Sequence, residues 1–595
     1  MTKRAARRGV PASAAPEHET MRPRTSTSWR AELLPVAAVA AAFVAGAALS
    51  WRRLGSLVVD TGRELELPLR LVQGEVLYRD VRYFWGPLAP TVNAALYRAF
   101  GASIDTLMWA GIVVAALVTA CLYLLARAFL SRGASAAVAV AFVFASAFAH
   151  QGPIAVFEFV LPFNFSATYG LAAAAWSLLL LLWHLRSRRL APFVGSVALA
   201  ALACFTKAEV ILPVLATHVA FAAAVRPLGR ARAVAYGVGG AAVALGYGGL
   251  FAVVGPGLWD ENLALLANPS SRHYVRVTTG LDAFAPSLAD LVASASLLAV
   301  LVGLAVVVAR VLRRRGGAFV RAAAALAAGG ACLAAFALYP PQLSLRALPL
   351  ALAAGLLALL VRLVARRRRP TPAETGRILL LAFGLACLPR IALQVGPHGY
   401  GFYLLPVGLV GLGVVVRGCR RLAGGGPVAR GVLASAFAGA MLGLALAALR
   451  GSWPYYTEPR IVLDTPRGEV RLRGGWRSPA DALRALMSLP PSTRVAALPD
   501  GAGLVFASGL TSTRDPILTY APMVLPDAAA EARALEAWER DPPDVVVWEN
   551  EHTERVFGFR GFGVDYARGL REWLEAHYVP LGDPSQPYVL LRRAR

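Results

Sequence analysis

Charge is scarce in this chain. Only 16% of its 595 residues are Asp, Glu, Lys or Arg, where a soluble domain carries about a quarter. Hydrophobic residues make up 57% of the sequence, and the mean hydropathy is +0.56. That balance excludes an ordinary soluble domain and points to a polytopic membrane protein. Cysteine is also sparse. Cys121, Cys204, Cys332 and Cys387 fall inside apolar runs and Cys419 in an Arg-rich loop, with no CxxC pair. A disulfide framework and a cysteine-ligated metal are thereby excluded as organising features. There is no Walker loop, HExxH, Rossmann fingerprint or DxD, so ATP-driven transport and a motif-borne metal site have no support. The glycines of Gly239–Gly249 lie within an apolar run, where close helix packing is the simpler reason for them.

What the chain does have is apolar runs long enough to cross a bilayer. Spans are predicted near Leu33–Trp51, Thr106–Leu130, Ala134–Ala149, Thr168–Leu185, Ala191–Phe205, Val210–Val225, Val234–Val254, Leu291–Val311, Val320–Tyr339, Leu345–Val364, Ile378–Val395, Phe402–Val416 and Val432–Leu449. The fold class expected is therefore mainly α, a polytopic α-helical membrane protein with about thirteen transmembrane helices. The formal charge of +25, from 60 Lys+Arg against 35 Asp+Glu, is not the mark of a nucleic-acid binder, because the arginines cluster in every second connection. Those connections hold Arg127/Arg132, Arg186/Arg188/Arg189, Arg226/Arg230/Arg232, Arg310–Arg321, Arg366–Arg369 and Arg417–Arg430. The positive-inside rule makes them cytoplasmic. The other connections, at Asp60, Glu158, Lys207, Asp260–Asp282, Pro340 and His398, then face outward.

Residues 1–30 are polar and basic and read as a disordered cytoplasmic tail. The run after them is longer than a signal-peptide core and reads as an uncleaved first span. Residues 31–450 form the membrane domain, with a first outer loop at 52–105. From 451 to 595 the sequence turns polar. "EVRLR" and "RVAAL" read as strands and "PADALRALMSL" as a helix, and "AAAEARALEAWER" precedes "PDVVVWE" as "ARGLREWLEAHY" precedes "YVLLRR". Helix-then-strand units predict a small extracytoplasmic α/β domain.

The first outer loop concentrates acids that are rare elsewhere: Asp60, Glu64, Glu66, Glu75 and Asp80. Leu88, Val92, Leu96 and Phe100 share a helical face between Pro87 and Gly101. Around Leu65, Leu69 and Val72 a helical stripe competes with strand-like alternation. Two short amphipathic helices in the outer interface are expected.

The strings "DTGRE" (Asp60–Glu64), "GEVLYRD" (Gly74–Asp80), "YFWGPLAP" (Tyr83–Pro90), "FTKAE" (Phe205–Glu209), "LPR" (Leu388–Arg390) and "HGYGFYLLP" (His398–Pro406) carry a resemblance. With a first helix ending in an acid, a long outer loop and an outer C-terminal domain, the chain resembles the GT-C superfamily of membrane glycosyltransferases. Within it, the chain looks like bacterial relatives of protein mannosyltransferases and the aminoarabinose transferase. The resemblance implies a GT-C-like fold in the bacterial cytoplasmic membrane. It implies transfer of a sugar from a polyprenyl-phosphate or -diphosphate carrier to an extracytoplasmic lipid, polysaccharide or protein acceptor. A lipid-linked sugar flippase and a polysaccharide polymerase or ligase are the competing classes. A transporter calls for internal repeats and mid-membrane charge, neither of which stands out.

The resemblance gives Asp60 the role of general base, taking the acceptor's hydroxyl proton; an interfacial acid exposed to water is the alternative. Glu64 and Asp80 would orient the acceptor or Arg side chains, or else be solvated loop charges. Glu158 stands where the family often places a second acid; an acid paired with an Arg is the alternative, and no cofactor or divalent metal is called for. Lys207, in the break "TKAE", would neutralise the departing donor phosphate, or would snorkel and pair with Glu209. Arg390 and His398 would flank the same phosphate, with an interfacial Arg and a loop His as the alternatives. Arg346 and Arg272/His273 are weaker candidates of the same kind. The alternation of Arg loops has a direct check. Reporter fusions at Arg315 and Arg368 are expected to signal from the cytoplasm, and fusions at His273 and after Gly451 from outside. A cytoplasmic C-terminus would overturn the assignment.

Overall fold

The computed structural model describes residues 30–258, 269–315, 317–513, 528–550 and 560–594. The basic tail before Arg30 and the acid at Asp260 therefore lie outside the described residues. The membrane part consists of helices α1 (Arg30–Ser50), α2 (Asp60–Val72), α3 (Leu88–Phe100), α4 (Ile104–Phe129), α5 (Arg132–Phe142), α6 (Phe165–Ser187), α7 (Leu190–Cys204), α8 (Ala208–Ala224) and α9 (Arg230–Val254). It continues with α10 (Pro269–Thr279), α11 (Phe284–Arg315), α12 (Ala318–Leu338), α13 (Leu348–Ala365), α14 (Pro372–Ala386), α15 (Pro406–Gly418) and α16 (Gly426–Thr457). Each of the thirteen apolar runs overlaps one of these helices, but the run Ile378–Val395 is helical only to Ala386 and then breaks into the turn that carries Arg390. Among the described residues eight helical segments are long and apolar enough to cross a membrane, and Arg132–Ala147, Leu190–Cys204 and Ala208–Ala224 are shorter apolar helices.

In a bilayer the apolar effect does not drive helices together, so close backbone approach must. The tightest crossing follows that logic. On α16, Gly439 and Gly443 are one turn apart. A Cβ at Gly439 would lie 1.9 Å from the Gly329 carbonyl of α12, and one at Gly443 would lie 2.4 Å from the Leu333 carbonyl.

The two ends of the bundle differ in charge. At one end Arg127 and Arg132 hold Glu32 at 2.7 and 2.9 Å. There too, Arg186 donates to the Ala128 carbonyl at 3.0 Å, Arg369 to Arg226 O at 3.0 Å, and Arg417 to Phe129 O. Arg310 and Arg313 reach the carbonyls of Leu422 and Gly424. The Arg-rich connections thus gather in one layer and cap each other's helix C-termini. The opposite end carries the acids, tyrosines and tryptophans.

At that opposite end the first loop is built as two helices, which resolves the helix-or-strand ambiguity at Leu65, Leu69 and Val72 in favour of α2. Helix α3 presents its polar-looking side inward: Asn93, Ala94 and Tyr97 are buried, while Val92 and Phe100 are 36% and 74% exposed. An apolar stripe turned away from the protein is what a helix lying in the lipid interface needs.

The C-terminal region forms a β1–β2 hairpin (Arg460–Thr465, Gly468–Arg473) and a five-stranded sheet. The sheet order is β4–β3–β5–β7–β6, with β3 (Arg494–Leu498), β4 (Thr511–Ser512), β5 (Val545–Glu549), β6 (Tyr578–Leu581) and β7 (Tyr588–Arg593). Helices α17 (Arg477–Met487), α18 (Ala502–Ser508), α19 (Ala528–Arg540) and α20 (Arg568–His577) accompany it. Strands β3, β4 and β5 are parallel, and β7 and β6 extend the sheet antiparallel. The strands and helices foreseen in this region are present, as is a small strand-containing domain.

This domain rests directly on the first loop. Gly62 of α2 and Gly503 of α18 touch: a Cβ at Gly62 would lie 2.3 Å from the Gly503 nitrogen. Tyr97 stacks on Phe506 at 6.0 Å between centroids, and Ile104 N–H donates to Arg467 O at 3.0 Å. Overpacking such a contact costs roughly 1–3 kcal/mol. The Gly503→Val variant is therefore expected to loosen the domain from α2 and to be clipped faster by protease than the native protein in detergent. Equal resistance of the two would show that the glycine pair does not hold the interface.

Candidate functional site

The acid-bearing end brings distant segments of sequence together through backbone bonds. Gly86 N–H donates to Thr206 O at 2.5 Å and Leu88 N–H to Phe205 O at 3.0 Å, which ties "YFWGPLAP" to "FTKAE". Gly55 N–H donates to Ala155 O at 2.8 Å, and Thr61 Oγ1 donates to Leu161 O at 3.1 Å, which ties the first loop to the loop before α6. Five of the six strings singled out in the sequence meet in this layer; "GEVLYRD" lies beside them, where Tyr78 donates to the Trp85 carbonyl at 2.5 Å.

Lys207 sits in the break between α7 and α8, with its side chain only 4% exposed. Its ammonium lies 4.7 to 5.5 Å from the ring centroids of Phe163, Tyr400, Tyr403 and Trp85. Tyr403 Oη is 3.3 Å from Nζ, and Glu209 Oε1 is 3.7 Å away. Burial pushes the Lys207 ammonium down, while Glu209 opposes the shift. Arg390, on a single turn after α14, places its guanidinium 4.6 Å from the Tyr400 ring and 5.6 Å from that of Tyr274. Its Nε is 3.4 Å from Glu209 Oε1, and it also donates to Thr278. Two cations thus share one carboxylate inside a wall of aromatic faces, which attract cations. His398 belongs to the turn that carries Tyr400, with its side chain exposed. Arg346 donates to Leu393 O at 2.6 Å, a neighbour of the Arg390 turn.

Among the acids, Glu64 is the most enclosed within the first loop's motifs. It accepts from Asn164 Nδ2 at 3.1 Å and from Phe165 N–H at 2.8 Å, at the N-terminus of α6. Tyr83 Oη completes the group, 3.4 Å from Asn164 Nδ2 and 3.0 Å from Ser166 Oγ. Burial raises the Glu64 carboxyl to about 7, against these two bonds and the charges of Arg63 and Lys207. Asp60 opens α2 with a partly exposed carboxylate paired to Arg63, whose other nitrogen is 3.2 Å from Asp500 of the C-terminal domain. Glu158 is fully buried and accepts from the amides of Val160 and Leu161. Burial raises its carboxyl to about 8. Both of these hydrogen bonds run to backbone amides of its own loop. Asp80 accepts from Val76 N–H at 2.8 Å and pairs with Arg79 at 2.9 Å, bonds that shape its own loop. Among the described residues no group of three or more His, Cys, Asp or Glu side chains is placed to hold a metal.

Sequence reasoning passed over Glu209 as the shared counter-ion, the four aromatic faces around Lys207, and Arg63 with Asp500. One signal was readable. Of the basic residues, only Lys3 and Lys207 are lysines. A compact ammonium fits an aromatic enclosure that a guanidinium fork would overfill.

No family model matches this chain, and no curated protein matches it. Solved structures do. The chain is similar to ArnT from Cupriavidus metallidurans. With that protein bound to undecaprenyl phosphate the TM-score is 0.43 at 15% identity, covering 94% of this chain and 97% of the other. With its apo state the TM-score is 0.42 at 16% identity, covering 94% and 98%.

The buried acids give this layer a pH signature. Burial raises Glu64 and Glu66 to about 7 and Glu158 to about 8. Unfolded glutamates titrate near 4.3, so between these values the folded state binds more protons than the unfolded one. Stability is then greatest below about pH 4.5 on this account and falls as pH rises through 7 to 8. The apparent melting midpoint in detergent is expected to drop by a few degrees between pH 5.5 and 8.5. The paired Glu64→Gln and Glu158→Gln changes should flatten the slope. A midpoint that rises across this range would contradict the burial of these acids.

Proposed function

We propose that the protein is an integral-membrane glycosyltransferase that moves a sugar from a polyprenyl-phosphate carrier to an acceptor on the outer side of the membrane. The observation that carries the reading is the enclosed pair of cations, Lys207 and Arg390, at the membrane edge and within electrostatic reach of the acid-bearing first loop. A buried ammonium and guanidinium sharing one carboxylate leave a net positive charge, which suits a phosphate whose lipid tail stays in the bilayer. The motif resemblance assigns these same positions to donor binding. His398, on the adjoining turn, and Arg346 stand at the rim of that group.

Acceptor hydroxyl oxygen attacks the anomeric carbon of the sugar. The carbon–oxygen bond to phosphate breaks, and the electron pair leaves with the phosphate. Lys207 and Arg390 stabilise the charge that grows there. Asp60 takes the hydroxyl proton, being the partly exposed acid at the start of α2. Glu64 and Tyr83 hold the loop before α6 against α2, and Asp80 shapes the loop that precedes "YFWGPLAP"; both acids support rather than react. Glu158 is the next acid to test should Asp60 fail. The C-terminal domain is accessory, shaping the acceptor's approach from above the first loop.

The test is transfer by the purified protein in detergent from a polyprenyl-phosphate sugar. An enzyme works there, whereas a flippase needs two compartments. Loss of a general base costs about 10²–10⁴-fold in rate, so Asp60→Asn is expected to lose most transfer while still binding donor. Lys207→Met should lower both turnover and donor affinity. Transfer at the native rate by a folded Asp60→Asn protein would remove Asp60 from the base role, and equal activity of Lys207→Met at low donor would remove Lys207 from the donor site.

A further inference from the structure

A second basic site lies apart from Lys207 and Arg390. Between the exit of α1, the loop before α6 and the β1–β2 hairpin is a cavity of about 50 Å³. Five arginines line it: Arg52, Arg53, Arg460, Arg471 and Arg473, together with His150. At roughly 10–15 Å³ per water centre, such a volume admits a few waters or one phosphate-sized group.

The charges around it do not balance. Arg52 pairs with Asp105 at 2.6 Å and Glu469 at 2.9 Å, and Arg471 pairs with Glu469 at 2.6 Å. Arg473 and Arg460 both lean on Glu458, at 2.8 and 3.2 Å. Arg53 donates to the Glu458 carbonyl at 3.5 Å. Five guanidinium groups therefore face three carboxylates, and two positive charges remain in excess. Among the described residues, Arg460 Nε and His150 Nδ1 are buried atoms without a hydrogen bond of normal geometry. His150 stacks on Tyr455 at 4.6 Å between centroids and is 3.4 Å from Arg460 through Nε2. Burial, and next the Arg460 charge, push its imidazole down to about 4.

The cavity also lies at the level where lipid headgroups are found. Helix α1 ends at Ser50, and Trp51 follows it with its ring 5.1 Å from Trp109. Trp109 near the start of α4 and Trp453 near the end of α16 are 58% and 50% exposed. Tryptophans at span ends mark the membrane–water interface, and basic pockets there accept anionic headgroups. The planar fork of Arg matches phosphate oxygens two at a time.

We infer that this cavity binds a phosphate-bearing anion at the headgroup level, held by Arg460, Arg53 and His150, as a site distinct from the donor site. Its inner wall includes Thr61, which accepts from Ser56 N–H at 3.0 Å and adjoins Asp60. An anion seated there braces the first turn of α2 from behind. The phosphate belongs either to an anionic phospholipid or to free phosphate, and one experiment separates the two.

The full-length protein is placed in nanodiscs of phosphatidylcholine alone, of phosphatidylcholine with phosphatidylglycerol, and of phosphatidylcholine with added inorganic phosphate at matched ionic strength. Melting is then followed. A rise in midpoint with phosphatidylglycerol alone identifies the lipid headgroup. A rise with inorganic phosphate as well identifies the bare anion. In either case Arg460→Gln is expected to need about tenfold more ligand for the same rise, the loss that follows from one charged hydrogen bond. Arg53→Gln, at a less enclosed position, gives the same comparison should Arg460→Gln fold poorly. No rise with either ligand, or an equal rise in the native protein and in Arg53→Gln, overturns the site.

Discussion

A lysine ammonium shut away from water must be compensated from within the protein, and the acid-bearing layer of this molecule is arranged around that requirement. Removing a charge from water costs several kcal/mol even after relaxation. Lys207 meets the cost with one carboxylate, one tyrosine hydroxyl and four aromatic faces, drawn from four separate stretches of chain. Trp85 comes from the first loop, Phe163 from the loop before α6, Glu209 from α8, and Tyr400 and Tyr403 from the turn before α15. No one of these stretches can shift without exposing the ammonium or leaving it unpaired. The backbone bonds of Gly86 and Leu88 to the Lys207 break then become part of the same arrangement. The first loop thereby lends its tryptophan to the lysine's enclosure.

The same principle, applied to arginine, organises the other end of the bundle in a different way. There the guanidinium groups lie where water reaches them, and they spend their donors on helix C-terminal carbonyls of neighbouring connections. A carbonyl at a helix end carries partial negative charge, so a cation can serve as a cap without any buried acid. That is why one end tolerates many arginines with few carboxylates while the opposite end, with enclosed cations, carries acids and tyrosines. The charge asymmetry of the loops and the chemistry of the two layers are one property seen at two scales.

The helices were legible because hydrophobic length is a local signal. Every apolar run from Leu33–Trp51 to Val432–Leu449 contains a helix, although that at Ile378–Val395 is helical only as far as Ala386, and "PDVVVWE" and "YVLLRR" became strands. The strings alone could not say that β3, β4 and β5 would pair parallel while β7 and β6 join antiparallel, since pairing is decided by partners far away in sequence. The α3 stripe was read correctly as amphipathic. Its buried face, however, is the one with Asn93 and Tyr97, because lipid takes the place of a protein core on the apolar side. At the candidate site, Lys207 and Arg390 stood out as cations in the wrong set of loops. Glu209 looked like a mere companion of Lys207 until the structure put Arg390 against the same oxygen. Arg63 and Asp500 are 437 residues apart, and no pattern within either segment anticipates their contact.

That last contact bears on how a base could work beside a guanidinium. Arg63 holds the Asp60 carboxylate with one nitrogen and faces Asp500 with another. A carboxylate bound to Arg is a poor proton acceptor, because the ion pair favours its charged form. On the proposed reading, the attack on the sugar requires Asp60 to become neutral for a moment. Arg63 would then be left with a buried charge, were Asp500 not beside it, 7% exposed and ready to keep the guanidinium paired. The C-terminal domain contributes that second acid, and it can do so only because Gly62 and Gly503 let two backbones meet without side chains between them. The C-terminal domain and the first loop are thus joined at the place where, on the proposed reading, Asp60 needs its arginine to have an alternative partner.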